Sequence, residues 1–190
     1  MIGVDHSRAE WGAEPRRGSP KRMVDPQHLV VHHTAGSRPS GVTQAFAVMR
    51  EVQRMHQDDR GWTDAAYNFF VLPDGSIAEG RGVAYQNGAN SPKNRDTLSV
   101  CLLGNFQRDN FNDMEKAGLV KLSNALKLPM IPHSEVSSTS CPGDEVRNWL
   151  SAGISAKPVE ADQAELIRSA SELVELAREA LHKLIEALKS

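Results

Sequence analysis

The amino-acid sequence predicts an α/β fold followed by a helical tail, and three observations carry that reading. Short apolar runs of strand length alternate with segments of helical period, a Pro73-Asp74-Gly75 turn joins two brief extended runs, and the composition changes after Trp149.

The elements follow in chain order. Gln27 to His32 is an apolar run of the length of a buried strand. Val42 to Gln57 carries Phe46, Val48, Met49, Val52 and Met55 at helical spacing, which makes a strand–helix unit with the run before it. In "AAYNFFVLPDGSIAEGRG" two extended stretches flank the Pro-Asp-Gly turn, where proline fixes φ and glycine accepts a positive one, so a hairpin is expected. Thr97 to Leu103 is a further apolar strand. Asp113 to Leu126 is a second helix with Asp113 as its cap, and Met130 to His133 is a short extended piece. No internal repeat or low-complexity segment is present.

Residues 151–162, "SAGISAKPVEAD", contain Gly153 and Pro158 and are expected to link a domain of residues 1–150 to a helix of residues 163–190. From Gln163 on there is no glycine, proline or aromatic residue. Ile167, Ala170, Val174, Ala177, Leu181, Leu184 and Leu188 step by three and four, which is a heptad seam. Residues 151–190 hold five basic and seven acidic residues, so the preceding part is formally neutral within a chain of net charge −2. Such a balance excludes bulk attraction to nucleic acid or to an anionic membrane, and no stretch approaches the ~20 apolar residues of a membrane span. The start "MIGVDHSRAEWG" lacks the basic region and apolar core of a signal peptide. Synthesis in a reducing cytoplasm is the expectation.

The two cysteines differ in context. Cys101 in "LSVCLLGNF" reads as a packed thiol, whereas Cys141 lies in the polar loop "SSTSCPGD", where chemistry explains it better than packing. "LVVHHTAGS" places His32 and His33 side by side on a strand. Neighbours on a strand point to opposite faces, so a single ion on one face takes one of the two. Catalytic zinc commonly has three protein ligands from His, Cys or carboxylate and leaves a fourth position open. His32 or His33, with His133 and Cys141, can supply that set. Spacing alone does not decide it, because a histidine on an apolar strand is more often a core residue and this chain has seven histidines.

Four blocks, "LVVHHTAG", "GWTDAAYNFFVLPDGSIAEGRG", "TLSVCLLGNF" and "IPHSEVSSTSCPGD", resemble in order and separation the type-2 N-acetylmuramoyl-L-alanine amidases, which include phage endolysins and the peptidoglycan recognition proteins. "SRAEWGAEP" is similar to an N-terminal signature of the recognition-protein branch. The resemblance spans Ser7 to Trp149 and leaves the tail uncovered. It implies a mixed central sheet flanked by helices, with His32, His133 and Cys141 as Zn²⁺ ligands and His33 as the bystander. It further implies catalytic roles for Tyr67 and Thr139 beside the reacting carbonyl, and substrate contacts from Arg81 and Asn90. Many relatives carry histidine where this chain has Asn90 of "NGAN", a departure that weakens the last assignment. His28, His56 and Trp62 read as architectural, outside the site.

The implied activity is zinc-assisted hydrolysis of the amide between N-acetylmuramic acid and L-alanine in bacterial peptidoglycan. The endolysin-like role adds a location: made in the bacterial host cytoplasm and acting on the wall after release. A non-catalytic peptidoglycan-binding module is the competing reading, and loss of the cysteine ligand is its usual mark, whereas Cys141 is present. The tail needs a partner surface, either the domain itself or further copies of the chain. Leu166, Leu173 and Ala180 widen its stripe and favour self-association as a homo-oligomer.

Overall fold

The computed structural model describes residues 3–153. Within them lie β1 (His28–His33), α1 (Val42–Arg54), β2 (Phe69–Val71), β3 (Ile77–Glu79), β4 (Thr97–Leu102), α2 (Asp113–Leu126), β5 (Met130–Pro132) and α3 (Asp144–Ser151). The strands form one five-stranded sheet in the order β3-β2-β4-β1-β5. All neighbouring pairs are parallel except the β2–β3 hairpin, so the sheet is mixed. The linker beyond Gly153, the helix of residues 163–190 and its heptad seam lie outside the described residues. Among the described residues no helix is long and apolar enough to cross a membrane.

The sheet buries both faces, and the parity of β1 decides what lies where. Leu29 and Val31 face a cluster with Val71, Val100 and Leu102 from the sheet, Leu119 and Leu122 from α2 and Val146 from α3. The other face packs Phe70 and Cys101 against Ala45, Met49 and Val52 of α1 and against Trp11, whose indole N–H donates to the Glu79 carbonyl at 2.7 Å. Burial of each large aliphatic or aromatic side chain here stabilises the fold by about 1.5–3 kcal/mol. Cys101 is fully buried, as its apolar surroundings in sequence imply.

Several boundaries differ from the sequence expectation. β1 starts at His28 and includes His33. The first helix loses its α geometry after Arg54 and continues as a wider turn over Met55–Asp59. The cap of α2 is Asn112 rather than Asp113. Its side chain accepts the Glu115 N–H while the Glu115 carboxylate accepts the Asn112 N–H, a reciprocal capping box. Asp113 instead sits in the exposed first turn, paired to Lys116. The hairpin turn is as expected, with Gly75 at φ +81° and its N–H donating to the Leu72 carbonyl at 2.9 Å. Helix α3 was not foreseen; it ends at Ser151, one residue inside the stretch read as linker.

Candidate metal centre

His32 sits near the C-terminal end of β1, on the α1 side of the sheet, and is 2% exposed. His33 turns the other way: its Nδ1 accepts the Phe106 N–H at 3.2 Å. The backbone of His33 nonetheless serves the site. The Leu29 N–H bonds the Pro129 carbonyl, and strand alternation points the N–H of Val31 and His33 to the same edge. β5 ends at Pro132, so among the described residues that edge has no strand partner at His33, and Cys141 Sγ accepts its N–H at 3.5 Å.

The loop carrying Cys141 is held there by close backbone packing. Gly143, at φ +107°, lies so near the Phe106 carbonyl that a Cβ would collide with it. Thr139 Oγ1 accepts the Cys141 N–H at 3.2 Å. His133, expected to close a strand, opens a tight 3₁₀ turn of His133–Glu135 directly after β5. Its ring centroid lies 4.2 Å from that of His32.

His32, His133 and Cys141 thus meet, with their donor atoms all within 4.8 Å of one another. No other such cluster occurs among the described residues. His32 Nδ1 is 3.8 Å from Cys141 Sγ; two such donors on one tetrahedral zinc would stand about 3.6 Å apart. His133 Nδ1 is buried and has no hydrogen-bond partner among the described residues. Burial, with neighbouring His133, holds His32 down to about 3, and burial lowers His133 too, so both rings are neutral and keep a lone pair for a metal. Burial pushes the Cys141 thiol up to about 11, and a divalent cation is what would make a thiolate favourable there. The donor set, the separation and the orphaned nitrogen all fit zinc.

These three line a cavity of about 370 Å³ together with Tyr67, Thr139, His56 and Trp62. Tyr67 lies against His32 with ring centroids 5.3 Å apart, and burial holds its phenol well above the ordinary value, so it stays a proton donor. His56 and Trp62, read from sequence as outside the site, are corrected into the cavity wall. Their rings stack at 4.9 Å, and His56 Nδ1 accepts the Ala66 N–H at 3.0 Å, which leaves Nε2–H as the ring's donor. The sequence signal was their position just upstream of Tyr67, around the turn that ends the first helix.

Arg81 and Asn90 are placed differently from the groove contacts expected of them. Arg81 is buried, and its guanidinium donates to the carbonyls of Ala65 (2.5 Å), Gln86 (2.7 Å) and Asp64 (3.2 Å), so it ties loops together. It touches only the wall of an adjoining cavity of about 510 Å³ that shares Trp62 and Gly88 with the first. Asn90 is fully buried behind His32, with Oδ1 2.6 Å from His32 Nε2. Neither side chain presents itself to a bound polymer.

The family described as Amidase_2, N-acetylmuramoyl-L-alanine amidase, matches residues 22–144, a stretch that contains every residue of this cluster. The chain belongs to that family. A human N-acetylmuramoyl-L-alanine amidase is 34% identical to this amidase-family chain over 173 residues, 80% of the chain and 29% of the relative's length. The chain therefore spans less than a third of that relative. Peptidoglycan-recognition protein SC1a of Drosophila melanogaster is 32% identical over 155 residues, covering 75% of the chain and 84% of the relative. Among solved structures, peptidoglycan recognition protein-LE in complex with tracheal cytotoxin, a monomeric diaminopimelic acid-type peptidoglycan, superposes with a TM-score of 0.75 at 25% identity. That match covers 81% of this chain and 95% of the other.

Proposed function

We propose that this chain is a zinc-dependent N-acetylmuramoyl-L-alanine amidase, cleaving the amide between the lactyl group of N-acetylmuramic acid and L-alanine in bacterial peptidoglycan. The observation that carries the reading is the convergence of His32, His133 and Cys141 donors within 4.8 Å at a cavity that Tyr67 also lines. The relatives named as amidases, and the recognition protein solved with a peptidoglycan fragment, support the reaction and the polymer. The endolysin-like role belongs to the same proposal: made in the bacterial host cytoplasm, the enzyme acts on the wall after release.

Zinc held by His32, His133 and Cys141 would supply a Lewis acid and an activated water at neutral pH, with one position left open. The remaining groups act by position. The Tyr67 phenol, kept protonated by burial, donates toward the oxygen on which charge develops as the amide is attacked. Thr139 uses its oxygen to accept the Cys141 N–H, so its own proton is free to donate in the same direction. The adjoining 510 Å³ cavity, with Ser19, Lys21, Asn87 and Asn94 in its wall, offers polar surface for substrate beyond the reacting bond.

Metal analysis combined with an assay for new L-alanine amino groups released from peptidoglycan tests the proposal. One zinc per chain is expected, with activity lost on chelation and restored by Zn²⁺. Tyr67→Phe should keep the zinc and lower kcat by about a hundredfold, because one oxyanion donor is lost. Bound zinc and bound peptidoglycan without new amino groups would leave a binding module in place of an enzyme.

A further inference from the structure

The buried chain behind His32 has only one hydrogen-bonding direction. It starts at the Lys93 carbonyl, which can only accept, 2.6 Å from Thr97 Oγ1. Thr97 must therefore donate its proton there, and its oxygen is left to accept. Asn90 Nδ2 lies 2.9 Å from that oxygen and fills the role with an N–H. The Asn90 amide is thereby turned so that Oδ1, an acceptor, faces His32 Nε2 at 2.6 Å. His32 must carry its hydrogen on Nε2, and its lone pair lies on Nδ1, the nitrogen nearest Cys141 Sγ.

Reversing any member breaks the chain. A hydrogen on His32 Nδ1 would set the Nε2 lone pair against the Asn90 oxygen. Flipping the amide to relieve that would set its oxygen against Thr97, which has one proton and already gives it to Lys93. Asn87 braces the arrangement: its Nδ2 donates to the Thr97 carbonyl at 2.8 Å, so its Oδ1 faces the Asn90 N–H at 3.0 Å. Asn90 is fully buried, His32 is 2% exposed and Thr97 is 4% exposed, so water has little access to the amide between them.

We propose that Asn90 is a positioning residue for the metal centre: oriented by Thr97 and the Lys93 carbonyl, it holds His32 in the Nε2–H tautomer and aims Nδ1 at the ion. The proposal rests on the zinc reading above, and it replaces the substrate contact expected of Asn90. Outer partners of this kind orient a ligating histidine, and losing one typically weakens metal affinity about 10–100-fold.

The test uses the full chain and two readouts. Nitrogen-15 NMR of the metal-free protein reports which ring nitrogen of His32 is protonated, and chelator competition reports Zn²⁺ affinity. The wild type should show Nε2–H alone. Asn90→Ala should give mixed tautomers and about 10–100-fold weaker zinc, whereas Asn90→Asp, which keeps an acceptor against Nε2 and whose second oxygen can take the Thr97 proton in place of the Lys93 carbonyl, should restore both. Thr97→Val, near-isosteric and with Asn90 intact, should shift both readouts the same way if Asn90→Ala folds poorly, and Thr97→Ser should not. Unchanged tautomer and zinc affinity in Asn90→Ala and Thr97→Val would overturn the proposal while leaving the amidase reading intact. Tautomer shifts in a protein that binds no zinc would keep the hydrogen-bond relay and remove the zinc reading, and with it the metal-positioning role.

Discussion

Zinc binding should release the Cys141 thiol proton and strengthen at least about tenfold as the pH rises from 7 to 8, because only one of the three ligands carries a proton in that range. Burial holds His32 at about 3 and keeps His133 below the ordinary histidine value, so neither ring has a proton to lose near neutrality. Burial pushes Cys141 up to about 11, so its thiol does. Removing that proton at pH 7 costs about 5 kcal/mol, which the ion must overcome and which shrinks by about 1.4 kcal/mol for each unit the pH rises. The sign follows: higher pH removes the competing proton and affinity increases. The His33 N–H aimed at Sγ favours the thiolate and reduces the cost without changing the count. Calorimetric titration in buffers of different ionisation enthalpy counts the protons, and chelator competition at pH 7.0, 7.5 and 8.0 gives the slope. Cys141→Ser has no proton to lose at this pH and should lose both the slope and most of the affinity. A flat response in the wild type, or an undiminished slope in Cys141→Ser, would refute the reasoning.

Three further outcomes are expected. His32→Ala should abolish zinc binding, whereas His33→Ala should retain it and destabilise the fold by about 1–3 kcal/mol through the unpartnered Phe106 N–H; metal analysis with urea unfolding separates the two, and equal zinc loss would contradict the assignment. Asn112→Ala should cost about 1 kcal/mol by opening the capping box of α2, measured as a lower urea midpoint with an unchanged slope. Sedimentation of the full chain against a chain ending at Gly153 addresses the proposed self-association of residues 163–190: an oligomer that becomes a monomer on truncation is expected, and monomers in both cases would end it.

What could be read from the sequence was what depends on near neighbours. The opposite orientation of His32 and His33 follows from strand alternation alone, and the hairpin at Pro73-Asp74-Gly75 follows from the φ preferences of two residues. The cap of α2 was missed by one position because Asn112 and Asp113 are both good cap residues, and the choice is made by where Glu115 can reach back. Helix α3 is one eight-residue element in a polar stretch, and its few apolar side chains acquire meaning only against Phe106, Phe111 and Leu122 on the same face of the sheet.

The candidate site divides along the same line. Residue types in ordered blocks pointed to His133 and Cys141, but their meeting depends on where β5 stops and on how closely Gly143 approaches the Phe106 carbonyl, which are contacts between distant parts of the chain. Arg81 and Asn90 show the harder limit. An arginine and an asparagine near a groove look in sequence like groups ready for a polar ligand, yet what each can bind depends on the hydrogen bonds it has left. Arg81 gives its donors to three backbone carbonyls, and Asn90 divides its amide between Thr97 and His32. Both are drawn inward because burial makes an unpaired polar atom costly, by about 1–3 kcal/mol. The same cost acts on His133 Nδ1, which is buried without a partner among the described residues. A metal ion would satisfy that nitrogen together with His32 Nδ1 and Cys141 Sγ, so the unmet hydrogen-bonding capacity of the fold and the chemistry proposed for it point to the same place.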